Sequence, residues 1–199
     1  MKTVKKANTV LQKDPVMRRL IKQHSLSSLE KKTNFFAALT YEIIGQQLSG
    51  KVARIIYKRF LDLFGKKLPE PKQILKINDT KLRSCGCSWA KVKYLKSLAE
   101  CINNGQLNLK SLHKLPDKEV YEQLLKVKGI GPWTAEMFMI FTLQRPDVFS
   151  VGDLGLRTAI ARLYGVRRDK LKKIEKISGR WQPFRSFACR YLWKSIDIK

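Results

Sequence analysis

The stretch LLKVKGIGPWTA, from Leu124 to Ala135, constrains this chain more than any other. Its apolar spacing reads as the end of one helix, a reversal pinched by two glycines, and a second helix that opens at a proline. Gly129 and Gly131 can adopt the positive φ that a sharp reversal needs, and they let another backbone come close. Pro132 suits the first helical position, where a missing N–H costs nothing. Loop N–H groups and a fresh helix N-terminus then converge on one spot, which suits an anion, above all a phosphate. An ordinary αα-hairpin turn could carry the same residues, so this stretch alone leaves both readings open. A dinucleotide-binding glycine loop is excluded, because a helical pattern precedes the glycines where that fold needs a strand.

The rest of the chain repeats the helical pattern. Asp14-Pro15 is a cap and first-turn pair ahead of VMRRLIKQH. Phe35 to Ile44 forms an apolar helical face that ends near Gly45-Gln46-Gln47, and Ser49 can cap GKVARIIYKRFLDLF, which Gly65 stops. Short helices are expected over Gln73–Ile77 and Thr80–Ser84 after the break at Pro69-Glu70-Pro71. Ser88 caps WAKVKYLKSLAECI, with Trp89, Val92, Leu95, Leu98 and Ile102 at helical spacing. Asp117 is expected to cap the helix entering the hairpin, and Pro132 to Leu143 leaves it. Further helices are expected from Asp153, over Asp169–Ser178, and after Pro183. No alternating strand pair or internal repeat is seen, so the fold class is all-α, with roughly ten helices.

Composition narrows the partner. Lys and Arg number 41 against 16 acidic residues, a formal charge of +25 on 199 residues. Thermophile surfaces are also rich in Lys and Arg, but they usually balance them with Glu. Here the excess is unbalanced and spread along the whole chain, which favours a polyanion, above all nucleic acid. There is no apolar run of about 18 residues to span a membrane. MKTVKKANTVLQKD is basic but lacks the apolar core of a secretory signal. Cys85, Cys87, Cys101 and Cys189 lack zinc or iron–sulfur spacing and read as reduced core thiols of a cytosolic protein.

Val127 to Ala161 resembles the helix-hairpin-helix DNA glycosylase superfamily, whose marks are such a hairpin and an acid some twenty residues on. GIGPWTAEMFMIF followed by DVFSVGDLGLR is similar to the 3-methyladenine DNA glycosylase II branch. GRWQPFRSFACRYLW, from Gly179 to Trp193, and TYEIIGQQLSGKVA, from Thr40 to Ala53, resemble that branch's C-terminal segment and N-terminal motif. The agreement runs in order from about residue 34 to 195, in the manner of compact members without an N-terminal β-domain. The resemblance implies two helical lobes with an active-site cleft between them. Residues 34–125 would form one lobe, and residues 1–33 would join 126–199, with the hairpin and the acid, in the other.

The acid is Asp153. A carboxylate can stabilise the cationic sugar formed as a glycosidic bond breaks, or orient the attacking water. Asp153 could equally cap the helix LGLRTAIARLYG; its place in the matched motif, twenty residues after Trp133, favours catalysis. Glu136 and Asp147, the other nearby acids, read as solvated surface charges. Trp133 stands where lyase members of the superfamily place a nucleophilic lysine, so the resemblance implies a monofunctional enzyme that leaves an abasic site. Trp133, Trp181, Phe184 and Tyr41 are base-pocket candidates, since electron-rich rings attract a cationic base extruded from the duplex. Phe35 reads as core, and Met137 stands where some relatives have a further aromatic.

Gln46 and Gln47 resemble the family's wedge, which fills the gap left by the flipped base. Lys128, Gly129, Gly131, Trp133 and Thr134 would make the phosphate-binding hairpin. By resemblance, the carbonyls of Leu125, Val127 and Ile130 would hold a structural Na+ or K+; no other cofactor is implied. The implied partner is double-stranded DNA containing damaged bases, with no membrane and a monomeric protein. It would work in the cytoplasm at the nucleoid of a prokaryote, or in a eukaryotic nucleus. The implied activity is hydrolytic release of alkylated purines, 3-methyladenine foremost and 7-methylguanine next. A non-catalytic DNA grip, or a glycosylase for another damaged base, is the alternative.

Overall fold

The computed structural model describes residues 2–196, and these form α-helices joined by turns, with no strand among them. In chain order the helices are α1 (Lys2–Leu11), α2 (Pro15–Gln23), α3 (Phe35–Gly45), α4 (Gly50–Asp62), α5 (Pro71–Lys76) and α6 (Asp79–Ser84). There follow α7 (Trp89–Asn103), α8 (Asp117–Leu125), α9 (Pro132–Met137), a π-helical segment (Phe138–Thr142), α10 (Leu154–Tyr164), α11 (Leu171–Gly179) and α12 (Arg185–Ile196). Most expected caps are present. Asp14 accepts from the N–H groups of Val16 and Met17, Ser49 from Val52, and Ser88 from Lys91. Asp117 is the exception: Pro116 is the N-cap of α8, and Asp117 lies inside the first turn, where its charge suits the helix dipole.

The chain divides into two compact units, one of them Lys32–Phe138. Its organising element is α7, which packs against α3, α5 and α6. Val92, Leu95 and Leu98 on α7 are fully buried, each worth about 1.5–3 kcal/mol relative to exposure. Trp89 departs from its expected place on that face. It lies at the first residue of the helix, exposed, with the Arg83 guanidinium 5.1 Å above its ring. Lys96, one turn after Val92, donates to the carbonyls of Leu75 and Ile77 and so satisfies the C-terminal end of α5.

The other unit contains the described residues through Lys31 and from Met139 onward. Here α12 packs on α1, α2 and α10. Its core gathers Ala7, Leu11, Met17, Leu20, Leu156, Ile160, Trp181, Phe184 and Leu192. Two half-buried polar ties lace it: Tyr191 Oη donates to Asn8 Oδ1 at 2.9 Å, and Tyr164 Oη to Asp14 Oδ1 at 3.0 Å. The boundary lies after Phe138, not after residue 125 as the resemblance implied, so residues 126–138 belong with Lys32–Phe138. The hairpin is seated on α7 of that unit, which is the physical reason for its allegiance.

Candidate active site

The hairpin is held from beneath. The Val127 N–H donates to the Leu124 carbonyl at 3.1 Å, and Ile130 N–H to the Val127 carbonyl at 3.0 Å. The Lys128 N–H goes to Ser97 Oγ at 3.0 Å, and Cys101 Sγ contacts the Lys126 carbonyl at 3.7 Å. Gly129 takes φ +91, and a Cβ there would fall 2.2 Å from Cγ of Tyr94. Only glycine fits. Gly131 does not use that freedom: it is extended, at φ −87 and ψ 177, and a Cβ on it would meet nothing within 4 Å. Neither the turn nor packing within the protein requires that glycine. Among the described residues the N–H groups of Gly129 and Gly131 have no acceptor. Two backbone donors at the start of α9 therefore remain for an anion from outside. Lys128 is exposed beside them, and Thr134 is buried in the first turn of α9.

The candidate cation carbonyls lie on this same turn. That of Val127 already accepts from Ile130 N–H, but a carbonyl oxygen has a second lone pair for an ion. Oxygen donors alone suit a hard monovalent cation, so these residues fit the Na+ or K+ that the resemblance implied. No cluster of three or more His, Cys, Asp or Glu suited to a metal occurs among the described residues.

A second strained turn follows α3. Gln47 is exposed at φ +58, a left-handed conformation uncommon for a residue with a side chain. Gln46, its half-buried neighbour, donates from Nε2 to the Gly129 carbonyl at 2.8 Å. The two glutamines are thus unlike: one is bonded to the hairpin and the other stands outward.

Asp153 lies in the other unit as the N-cap of α10. Its Oδ1 accepts from Leu156 N–H at 2.7 Å and from Trp193 Nε1 at 3.0 Å. At 9% exposure it is nearly buried. The second donor, Trp193, fixes its rotamer. The cap fixes the direction of the carboxylate. Gly155 makes room for this: a Cβ there would crowd Asp153 Oδ1, Ile196 and Trp193 at 3.1–3.3 Å. Phe141, in the π-helical segment, packs against the Trp193 ring at 5.5 Å. Sequence reading did not single out Trp193, forty residues away along the chain; its one signal was its place at the end of GRWQPFRSFACRYLW.

The aromatic candidates separate by exposure. Trp133 is 49% exposed on α9. Tyr41 is half-buried, edge-on to Tyr57 at 5.2 Å. Trp181, with no exposed surface, and Phe184, at 6%, are core residues rather than open pocket walls. Trp181 lies among Phe149 and Tyr164, and Phe184 packs on Phe187. Phe35 packs edge-on against Phe138, as expected of a core ring. Asp147 is also corrected. Far from being solvated, it is half-buried and receives Arg185 in a fork, Nε to Oδ1 at 2.8 Å and Nη2 to Oδ2 at 3.0 Å. It also accepts the Arg185 N–H, at the start of α12. All four cysteines are buried free thiols, with Cys85 and Cys87 sulfurs 3.5 Å apart.

Known proteins share this fold and much of this sequence. A DNA-3-methyladenine glycosidase from Bacillus halodurans superposes with a TM-score of 0.86 at 37% identity, over 96% of this chain and 88% of that one. The Schizosaccharomyces pombe 3-methyladenine DNA glycosylase, solved with abasic DNA, superposes with a TM-score of 0.81 at 32% identity, covering 96% of both chains. In sequence, DNA-3-methyladenine glycosylase 1 of S. pombe is 36% identical over 86% of this chain and 76% of its own length. A Bacillus subtilis relative is 30% identical over 89% of this chain, which spans 64% of that relative's length. Residues 40–183 match the family described as HhH-GPD superfamily base excision DNA repair protein. The chain belongs to the HhH-GPD superfamily.

Proposed function

We propose that this protein is a monofunctional DNA glycosylase that hydrolyses the N-glycosidic bond of alkylated purines in duplex DNA, 3-methyladenine foremost. The observation that carries the reading is Asp153, a nearly buried carboxylate aimed by the start of α10 and by Trp193. A purine methylated on a ring nitrogen is already cationic and leaves without a general acid. The bond to C1′ breaks with its electron pair going to the base, and the sugar becomes an oxocarbenium ion. Asp153 stabilises that cation and orients a water, whose oxygen joins C1′ as one of its protons passes to the Asp153 carboxylate and on to solvent. Products are the free base and an intact strand with an abasic site. The exposed ring of Trp133 offers a stacking face to the cationic base. A tryptophan there cannot form the imine of a lyase.

Binding is to DNA phosphates. The two hairpin N–H donors take one phosphate, and a Na+ or K+ on the carbonyls of Leu125, Val127 and Ile130 would add positive charge behind it. The +25 formal charge supplies the remaining, sequence-independent attraction. No described helix is long and apolar enough to cross a membrane, and the place of work is the genome, at a nucleoid or in a nucleus. Incubation with methylated duplex, followed by chromatography of the small-molecule fraction, tests the reading. Free 3-methyladenine supports it; protein-bound DNA with no released base would reduce the protein to a grip.

A further inference from the structure

Both glutamines of the turn after α3 matched the family's wedge in sequence, yet the structure gives them different work. Gln46 reaches across 83 residues of sequence to donate 2.8 Å to the Gly129 carbonyl. That carbonyl belongs to the peptide whose N–H, on Ile130, is already bonded to Val127. The 129–130 peptide is therefore pinned at both ends. It lies between Gly129 and Gly131, the residues whose N–H groups have no acceptor among the described residues. Gly129, at φ +91, gives this peptide a flanking link with wide backbone freedom. Without a tether on its carbonyl, this peptide can rotate and carry the two donors out of line. Beside Gln46, Gln47 is exposed and held left-handed, a conformation that persists only where surrounding bonds impose it.

We propose that Gln46 is a positioning residue, a clasp that locks the phosphate-binding hairpin to the turn bearing Gln47, so that backbone grip and insertion into the duplex act as one rigid element. The proposal rests on the reading of the hairpin as a phosphate site. Gln46 touches no DNA in this account, and the side chain that enters the duplex is that of Gln47. The clasp must donate to a carbonyl, which an amide does at neutral pH and an ionised carboxylate cannot, and its reach must be that of Gln rather than Asn.

The test uses the full chain, with fluorescence anisotropy on two duplexes, undamaged and bearing a tetrahydrofuran abasic analogue, each titrated with salt. Wild type should bind both, prefer the analogue, and weaken steeply with salt. Gln46→Leu should bind both about tenfold more weakly. Its log–log salt slope should be shallower by about 0.9, the loss of one phosphate contact. Gln46→Glu should match Gln46→Leu near pH 7.5 and recover toward wild type at about pH 4, as the carboxyl gains the proton it donates to Gly129. Gln47→Ala should lose the preference for the analogue and keep the wild-type slope. Thermal melting of each variant separates these effects from unfolding, since lost stability alone restores nothing on acidification. A wild-type slope in Gln46→Leu, or no acid recovery in Gln46→Glu, overturns the clasp. Loss of abasic preference with an unchanged slope in Gln46→Leu also overturns it and makes Gln46 the wedge. A salt-insensitive wild type is a different result, and sinks the phosphate reading itself.

Discussion

One substitution, Gly to Ala, should affect the two hairpin glycines in opposite ways. At Gly129 the new methyl would lie 2.2, 2.3 and 2.6 Å from three ring atoms of Tyr94, far inside contact distance, so the ring or the turn must move. The backbone there is at φ +91, which costs an L-residue about 1–2 kcal/mol. Overpacking adds about 1–3 kcal/mol. The total is about 2–5 kcal/mol, or a fall in Tm of roughly 5–15 °C for a chain of this size. At Gly131, φ −87 and ψ 177 suit alanine, and the methyl meets nothing within 4 Å. Reduced freedom of the unfolded chain gains about 0.4–1 kcal/mol. Alanine's weakness as an N-cap offsets it, leaving stability within about 1 kcal/mol of wild type. Yet that methyl stands beside the donors reserved for phosphate, so DNA affinity should drop about tenfold or more. Scanning calorimetry and anisotropy on the same preparations measure both. A Gly129→Ala protein that melts with wild type, or a Gly131→Ala protein that binds DNA as wild type does, would refute the reasoning.

Three further outcomes follow from the same structure. Trp193→Phe removes the indole donor to Asp153 and should slow base release about tenfold or more, while abasic-DNA affinity stays unchanged; equal rates would remove Trp193 from the site. Borohydride should trap no protein–DNA adduct with wild type, whereas a robust adduct would point to Lys126 or Lys128 as an amine nucleophile. Burial holds the Glu42 carboxyl above its ordinary 4.5, against a smaller opposing pull from Lys32. Between 4.5 and that raised value the folded state binds more protons than the unfolded, so stability falls as pH rises through this window. Glu42→Gln should therefore melt above wild type at about pH 7 and with it below about pH 4; a pH-independent difference would contradict this.

Local signals were legible, and distant ones were not. Asp14-Pro15, Ser49 and Ser88 announce their helices because a cap bonds residues only two or three positions on. α1 is not legible as a helix: basic residues dominate MKTVKKANTVLQKD, and among its described side chains only Ala7 and Leu11 are fully buried. Asp147 looked solvated because its partner, Arg185, lies thirty-eight residues away. Trp181 and Trp133 are indistinguishable as letters, yet one is enclosed by the core and the other is half exposed. Residue type alone lets Gly131 take positive φ; the fold keeps it extended and uses its missing side chain for open approach instead. The resemblance pointed to Gln46 and Gln47 together, and only the bond to Gly129 separates them.

Single-turnover excision by wild type and Asp153→Asn, on methylated duplex with enzyme in excess, tests the central claim most directly. The asparagine keeps an oxygen to accept from Leu156 and Trp193, so the variant should fold as wild type and bind abasic DNA as tightly or more tightly. It should release no 3-methyladenine on the timescale in which wild type empties the duplex, because the cationic sugar has lost its stabilising charge. Release by the variant at a rate near wild type, or none by the wild-type protein, would contradict the account.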